Sequence, residues 1–201
     1  MIKNVLFDCS DTLLHFEARK ELAKRLGGDM ERATHIHLTT YRCATFRRYG
    51  VGTISYEEAK PQALALLDEC DRQAGEEFLD TRMLYYREIE GISELLKKLK
   101  NKGYKLYIVS DFPDHFEYIW KKFDIFRLFD GRAVSFEEHA GKTNGMLFEA
   151  VIKKYDLDPT ECVFVDDTAD NVIMSETYGM KGIRFTDTKA LISELEKLEI
   201  L

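Results

Sequence analysis

Residues 5–14, VLFDCSDTLL, decide how the rest of the chain is read. The apolar run NVLF stops at Asp8, and a short run with no polar alternation is what a strand covered on both faces looks like. Burial on both faces implies a parallel sheet beneath helices. In such sheets ligands collect beyond the carboxyl ends of the strands, so Asp8, Ser10, Asp11 and Thr12 stand where chemistry is expected.

Outward from this stretch, four more apolar, β-branched runs follow. They are KLYIV leading to Ser110, a weaker GRAVSF around Ala133, CVFV leading to Asp166, and GIRF around Arg184. Helical patterns separate them. GISELLKKLKNK, from Gly91 to Lys102, sets Ile92, Leu95, Leu96 and Leu99 at helical spacing and meets a stop at Gly103. Residues 144–155 and 169–178 repeat the pattern. Strands alternating with helices predict an α/β fold with a parallel sheet. The interval from His15 to Glu88 breaks the rhythm and reads as helix after helix with no strand. Phe16 to Leu26, Met30 to Arg48, Tyr56 to Asp71 and Glu77 to Tyr86 are the candidates, punctuated by Gly27-Gly28 and Gly50-Val51-Gly52. No internal repeat or low-complexity tract is present.

Composition narrows the function classes. With 201 residues, 45% of them hydrophobic, and three prolines, the chain suits one compact body carrying an inserted subdomain. A net charge of -7 provides no overall basic field for nucleic acid or an anionic membrane, so neither is an expected partner. The amino terminus shows no secretory pattern, and no stretch approaches the roughly 18 apolar residues of a membrane span, which points to a cytoplasmic protein. Cys9, Cys43, Cys70 and Cys162 form no CxxC pair and are expected to be free buried thiols. His35 and His37 lie two apart, so on a helix they face different ways and serve as surface or core residues rather than as a ligand pair.

The remaining strand ends complete the site. Ser110 and Asp111 follow the second strand, and Asp166 and Asp167 follow the fourth, so three carboxylate-bearing ends converge. Carboxylates gathered at one point repel one another, and the pattern calls for a hard divalent cation with oxygen ligands, Mg²⁺. A nearby lysine would balance an incoming phosphate.

These residues carry a family resemblance. VLFDCSDTLL resembles the first motif of the haloacid dehalogenase-like hydrolases, and IVSD at 108–111 their second. Lys142, in HAGKTNGMLFEAV, is similar to the third-motif lysine, although the usual proline after it is Thr143 here. VFVDDTADNV at 163–172 closely resembles the fourth motif. Four motifs in order, spanning the chain, make the resemblance specific. It implies a Rossmann-like core of residues 1–14 and 89–201, with the fourth, first and second strands adjacent at its centre. It also implies an α-helical cap of residues 15–88.

The same resemblance implies a Mg²⁺-dependent phosphatase acting on a small phosphorylated metabolite. Asp8 would be the nucleophile and a metal ligand, joined by the Ser10 carbonyl and Asp167, with Asp166 supporting the site or sharing the metal. Ser110 and Lys142 would bind the transferring phosphoryl group, with Thr12 and Asp111 beside them. Tyr41, Arg42, Phe46, Arg47 and Arg48 are the cap residues that would meet substrate, unless they serve packing and solvated surface. Asn171 would complete the acidic loop or face solvent.

The family pattern also has departures. The acid/base aspartate that phosphatases of this kind place two residues after the nucleophile is Ser10, and the usual glycine is Asp11. Asp11 would cap the following turn or act as a displaced acid, the first being favoured because adjacent side chains diverge from a strand end. The halide-cleaving members also lack that aspartate, but they need no metal and do not require the Asp166-Asp167 pair. Phosphonate-cleaving relatives use a cap lysine, for which Lys20, Lys24 and Lys60 are candidates better read as solvated helix residues. A catalytically weak binding protein is the third alternative, kept open by Ser10, Asp111 and Thr143.

Overall fold

A computed structural model describes all 201 residues. The chain opens with β1 (Asn4–Phe7) and β2 (Leu14–Phe16), then five helices: α1 (Ala18–Arg25), α2 (Met30–Tyr41), α3 (Ala44–Gly50), α4 (Tyr56–Leu64) and α5 (Glu69–Thr81). It continues through β3 (Tyr86–Glu88), α6 (Ile92–Asn101), β4 (Lys105–Ser110), α7 (Phe116–Lys122), β5 (Gly131–Val134), α8 (Ser135–Glu138) and α9 (Met146–Tyr155). The last elements are β6 (Cys162–Asp166), α10 (Ala169–Thr177), β7 (Lys181–Arg184) and α11 (Thr188–Lys197).

Five strands form one parallel sheet in the order β5-β4-β1-β6-β7, so the expected central trio β6, β1 and β4 is present. Register sets the site. Phe7 pairs with Ile108 on one side and Val165 on the other, which brings the ends of the three central strands level. All four residues of β1 are buried because helices cover both faces. α6 lays its buried Ile92, Leu95, Leu96 and Leu99 on one face of the sheet, while Leu147, Phe148 and Val151 of α9 cover the other. Each such side chain removed from water contributes about 1.5–3 kcal/mol. No helix is long and apolar enough to cross a membrane.

The segment between β2 and β3 packs on a core of its own, which includes Leu22, Ile36, Phe46, Tyr49 and Phe78. Contrary to the sequence reading, it is not wholly helical. Leu14–Phe16 and Tyr86–Glu88 pair antiparallel where the chain leaves and re-enters the sheet body, so Phe16 and Tyr86 are strand residues, stacked with ring centroids 4.6 Å apart. Helix Met30 to Arg48 is two helices, broken where Cys43 turns extended. Helix Tyr56 to Asp71 ends at Leu64, and Asp71 belongs to α5, which runs to Thr81. The cysteines are free as expected, but only Cys9 and Cys162 are buried; Cys70 is exposed on α5.

A buried polar bridge ties the insertion to the sheet body. Arg82, 2% exposed, donates to the Tyr49 hydroxyl at 2.7 Å, lies over the Tyr56 ring at 4.4 Å, and stands 3.6 Å from Asp114 in the loop after β4. The Tyr49 hydroxyl donates to the same Asp114 carboxylate.

His35 is exposed and His37 buried, as their spacing on α2 requires. His37 sits among Phe16, Tyr41 and Phe78 with neither ring nitrogen hydrogen-bonded. Burial, with lesser help from Arg42 and Arg19, lowers its pKa from 6.5 to about 4. The unfolded chain takes up a proton near pH 6.5 that the folded chain refuses until about pH 4. Stability is therefore full above the upper value and falls as pH drops toward the lower, by about 3 kcal/mol in all. His115, also buried without a partner and lowered by burial, adds a loss of the same sign. His37→Leu should flatten the slope to what His115 leaves, read from urea midpoints at about pH 7 and about pH 5. An unchanged slope would rule out His37 as its source.

Candidate active site

Asp8 follows β1 directly, and its backbone N–H donates to the Val165 carbonyl at 2.9 Å, locking it beside the end of β6. The next turn is tight. Leu13 and Leu14 donate to the Cys9 carbonyl, and Asp11 donates to the Leu14 carbonyl at 2.7 Å. This geometry places Asp11 in the left-handed region at φ 56°, where a short polar residue replaces glycine at modest cost. Its Oδ1 accepts from the Phe16 N–H at 3.3 Å. Asp11 thus closes the turn that leads into β2, the first of the two roles weighed for it.

Lys142 is the hinge of the site's electrostatics. It lies in the loop before α9, 2% exposed, with Nζ 2.8 Å from Asp8 Oδ1 and 2.6 Å from Asp166 Oδ2. Its backbone N–H donates to Asp111 Oδ1 at 3.0 Å, which fixes the loop. Burial acts to lower the Lys142 ammonium, but Asp8, Asp166 and Asp111 outweigh it and hold the ammonium above its ordinary value. Lys142 stays charged.

The acidic pair divides its work. Asp166 is fully buried, and both of its oxygens are engaged: Oδ1 accepts from the Thr168 N–H at 2.8 Å, Oδ2 from Lys142, and the Asn171 amide reaches both at 3.1 and 3.0 Å. Asn171 therefore faces the site rather than solvent. Asp167 is half-buried and its carboxylate makes no hydrogen bond to another side chain. Oxygens of Asp8, Asp166 and Asp167 lie within 4.8 Å of one another, close enough to share a cation. Lys142 takes Asp8 Oδ1 and leaves the other Asp8 oxygen, with both of Asp167, without a side-chain partner, whereas both Asp166 oxygens are engaged.

Two further observations bear on what the site would hold. The hydroxyls of Thr12 and Ser110 are buried with no hydrogen-bond partner, a costly state unless a ligand supplies one. Burial first, then neighbouring carboxylates, hold both Asp8 and Asp167 above the usual carboxylate range, Lys142 pulling the other way. Oxygen donors short of positive charge fit a hard divalent cation. Buried hydroxyls without a partner fit the oxygens of a tetrahedral oxyanion.

Beside these groups lies a chamber of about 180 Å³, whose lining includes Asp8, Ser10, Asp11, Asp111, Lys142, Asp167 and Asn171. Asp111 presents an exposed carboxylate there, which accepts hydrogen bonds and offers no donor to a phosphate oxygen. Tyr41, Arg42 and Tyr86 also line the chamber. Tyr86 carried no signal in the sequence, because its placement depends on the β2-β3 pairing. Arg48, unlike its neighbours Arg42 and Arg47, lines neither this chamber nor the cleft that adjoins it.

Residues 2–179 match the haloacid dehalogenase-like hydrolases. The chain belongs to that family. Among relatives, a sesquiterpene phosphatase of Aspergillus oryzae is 33% identical over 108 residues, 53% of this chain and 55% of that one. The chain spans about half the length of this relative. A glyceraldehyde 3-phosphate phosphatase of Pyrococcus abyssi is 24% identical over 91% of this chain and 79% of its own. A haloacid dehalogenase family enzyme from Bacteroides thetaiotaomicron, solved with magnesium and inorganic phosphate, shares the fold. It superposes with a TM-score of 0.70 at 21% identity, covering 94% of this chain and 96% of that one. This chain is accordingly a haloacid dehalogenase-like hydrolase whose named relatives include phosphatases.

Proposed function

We propose that this hydrolase cleaves phosphate monoesters of a small metabolite through an aspartyl-phosphate on Asp8, with Mg²⁺. The observation that carries the reading is the pair of buried hydroxyls without a hydrogen-bond partner, Thr12 in the turn after β1 and Ser110 at the end of β4, on the same neighbouring strand ends as the Lys142-paired Asp8. Ser110, Thr12 and Lys142 receive the phosphoryl oxygens. An Asp8 carboxylate oxygen attacks phosphorus, and the phosphorus–ester oxygen bond breaks with its electrons leaving on that oxygen, which takes up a proton. Water then attacks the phosphorus of the acyl phosphate, inorganic phosphate departs, and Asp8 is restored. Lys142 holds Asp8 ionised before attack and offsets charge on the phosphoryl group.

Asp8, Asp167 and the Ser10 carbonyl would hold Mg²⁺, which when bound neutralises charge among the carboxylates and on the phosphoryl oxygens. The insertion of residues 15–88 acts as a cap that closes over the chamber and sorts substrates. A metal-independent dehalogenase would leave one lysine shared among the three carboxylates of Asp8, Asp166 and Asp167, which disfavours that alternative. The relatives named as phosphatases support the phosphoryl reading.

The test is phosphate release from a panel of phosphorylated metabolites with and without Mg²⁺; no release from any would favour a binding protein instead. Asp167→Asn should raise the Mg²⁺ concentration needed for half-maximal rate by about tenfold or more. A metal titration that does not move would remove Asp167 from the ligand set.

A further inference from the structure

The chamber of Asp8 opens into a larger space. A cleft of about 730 Å³ lies between the insertion and the loops after β4, β5 and α8. Tyr41, Arg42 and Asp111 line both spaces, so they form the neck between them. A phosphate ester seated at Asp8 has this cleft to receive its organic part, and the volume is typical of small-molecule sites.

The cleft has a charge of its own. Arg42, just past α2, stands at the neck, and Arg47 of α3 lines the cleft beyond it. Neither guanidinium forms an ion pair or a hydrogen bond within the chain. The less exposed cations of the insertion are matched, Arg32 with Asp71, Lys60 with Glu76 and Asp80, and Arg82 with Asp114; Arg42 and Arg47 stand out because they are unpaired and line the cleft. Asp111 is the one acidic residue along the cleft, and its Oδ1 already accepts from the Lys142 N–H. Lys142 is held inside the chamber between Asp8 and Asp166, away from the cleft. The unmatched positive charge of the region therefore sits on the two arginines. Tyr41 and Phe46, ring centroids 5.8 Å apart, add an apolar wall beside them.

Resting on the phosphatase reading of Asp8, we infer that this cleft selects phosphate esters whose organic part carries a second anionic group, a carboxylate or a further phosphate. Arg47 binds that group and Arg42 guards the neck. A guanidinium presents its donors as a planar fork that matches either oxyanion.

Two phosphonates that resist hydrolysis, 4-carboxybenzylphosphonate and 4-carbamoylbenzylphosphonate, differ by one charge and little in shape. Calorimetric titration of each into the full chain with Mg²⁺ reads binding without turnover. The carboxylate should bind at least about tenfold more tightly. Arg47→Gln should bring the ratio toward one. Arg48→Gln, which removes the same charge from the neighbouring residue outside the cleft, should keep it. Equal affinities for the two compounds, including no detectable binding of either, overturn the inference, as does a preference that survives Arg47→Gln. Hydrolysis of 4-carboxyphenyl phosphate, followed in parallel, separates the two readings. A binding preference lost in Arg47→Gln but without phosphate release keeps the anion site and sinks the phosphatase assignment.

Discussion

Asp8→Asn should lower phosphate release by roughly 10⁴-fold or more, because the amide cannot form the acyl phosphate on which both chemical steps depend. The fold should survive. Asparagine keeps the shape of the side chain, and Lys142 retains its 2.6 Å contact with Asp166 after the change. Burial and the nearby Asp166 already hold the Asp8 carboxyl above its usual range, so ionising it within the fold has a cost that asparagine does not incur. The thermal midpoint should hence stay level or rise. Phosphate release, the melting curve and the mass of the acid-quenched enzyme during turnover together check this. Normal turnover by the purified variant would show that Asp8 is not the nucleophile.

The sheet and the strand ends were legible because one physical signal sets both. A parallel strand covered on both faces must be apolar throughout, so NVLF and CVFV declare themselves and mark Asp8 and Asp166 as the first polar residues beyond them. Lys142 was legible only through its family motif, since a lone lysine in a loop is ordinarily a solvated charge. What stayed hidden depends on contacts distant in sequence. Leu14–Phe16 and Tyr86–Glu88 are three residues each, too short to show a period, and they become strands by pairing with each other. Arg82 looks like any helix arginine until Tyr49, Tyr56 and Asp114 gather around it. The break at Cys43 has no glycine or proline to announce it. One omission was avoidable: α11 carries a readable start, Asp187 accepting from the N–H groups of Lys189 and Ala190, followed by Leu191 and Leu195 at helical spacing. The division of labour within Asp166-Asp167 could not be read from two identical neighbours; the Thr168 N–H and Asn171 amide decide it.

Ser10→Asp should raise kcat/KM for alkyl phosphates by up to roughly 10² to 10⁴, and for aryl phosphates far less. In the natural sequence Ser10 lines the chamber where a phosphatase of this family places its acid, and a serine hydroxyl is too weak an acid to protonate a departing alkoxide. Asp11 lines the same chamber, but the turn holds it in a left-handed conformation with Oδ1 on the Phe16 N–H, which ties it to the turn rather than to the leaving oxygen. The leaving oxygen must therefore bear its own negative charge in the transition state, and the rate should depend steeply on how well it does so. Aryl and acyl phosphates should outperform alkyl phosphates by a wide margin, and a new carboxylic acid at position 10 should narrow it. The measurement is a leaving-group series of kcat/KM for both proteins, under conditions where the first chemical step limits the rate. A shallower dependence in Ser10→Asp is the expected result. Equal slopes would mean that a proton donor is already in place, and would point to Asp11 or to the Tyr86 phenol, both of which line the chamber, burial holding the phenol protonated well above its usual range.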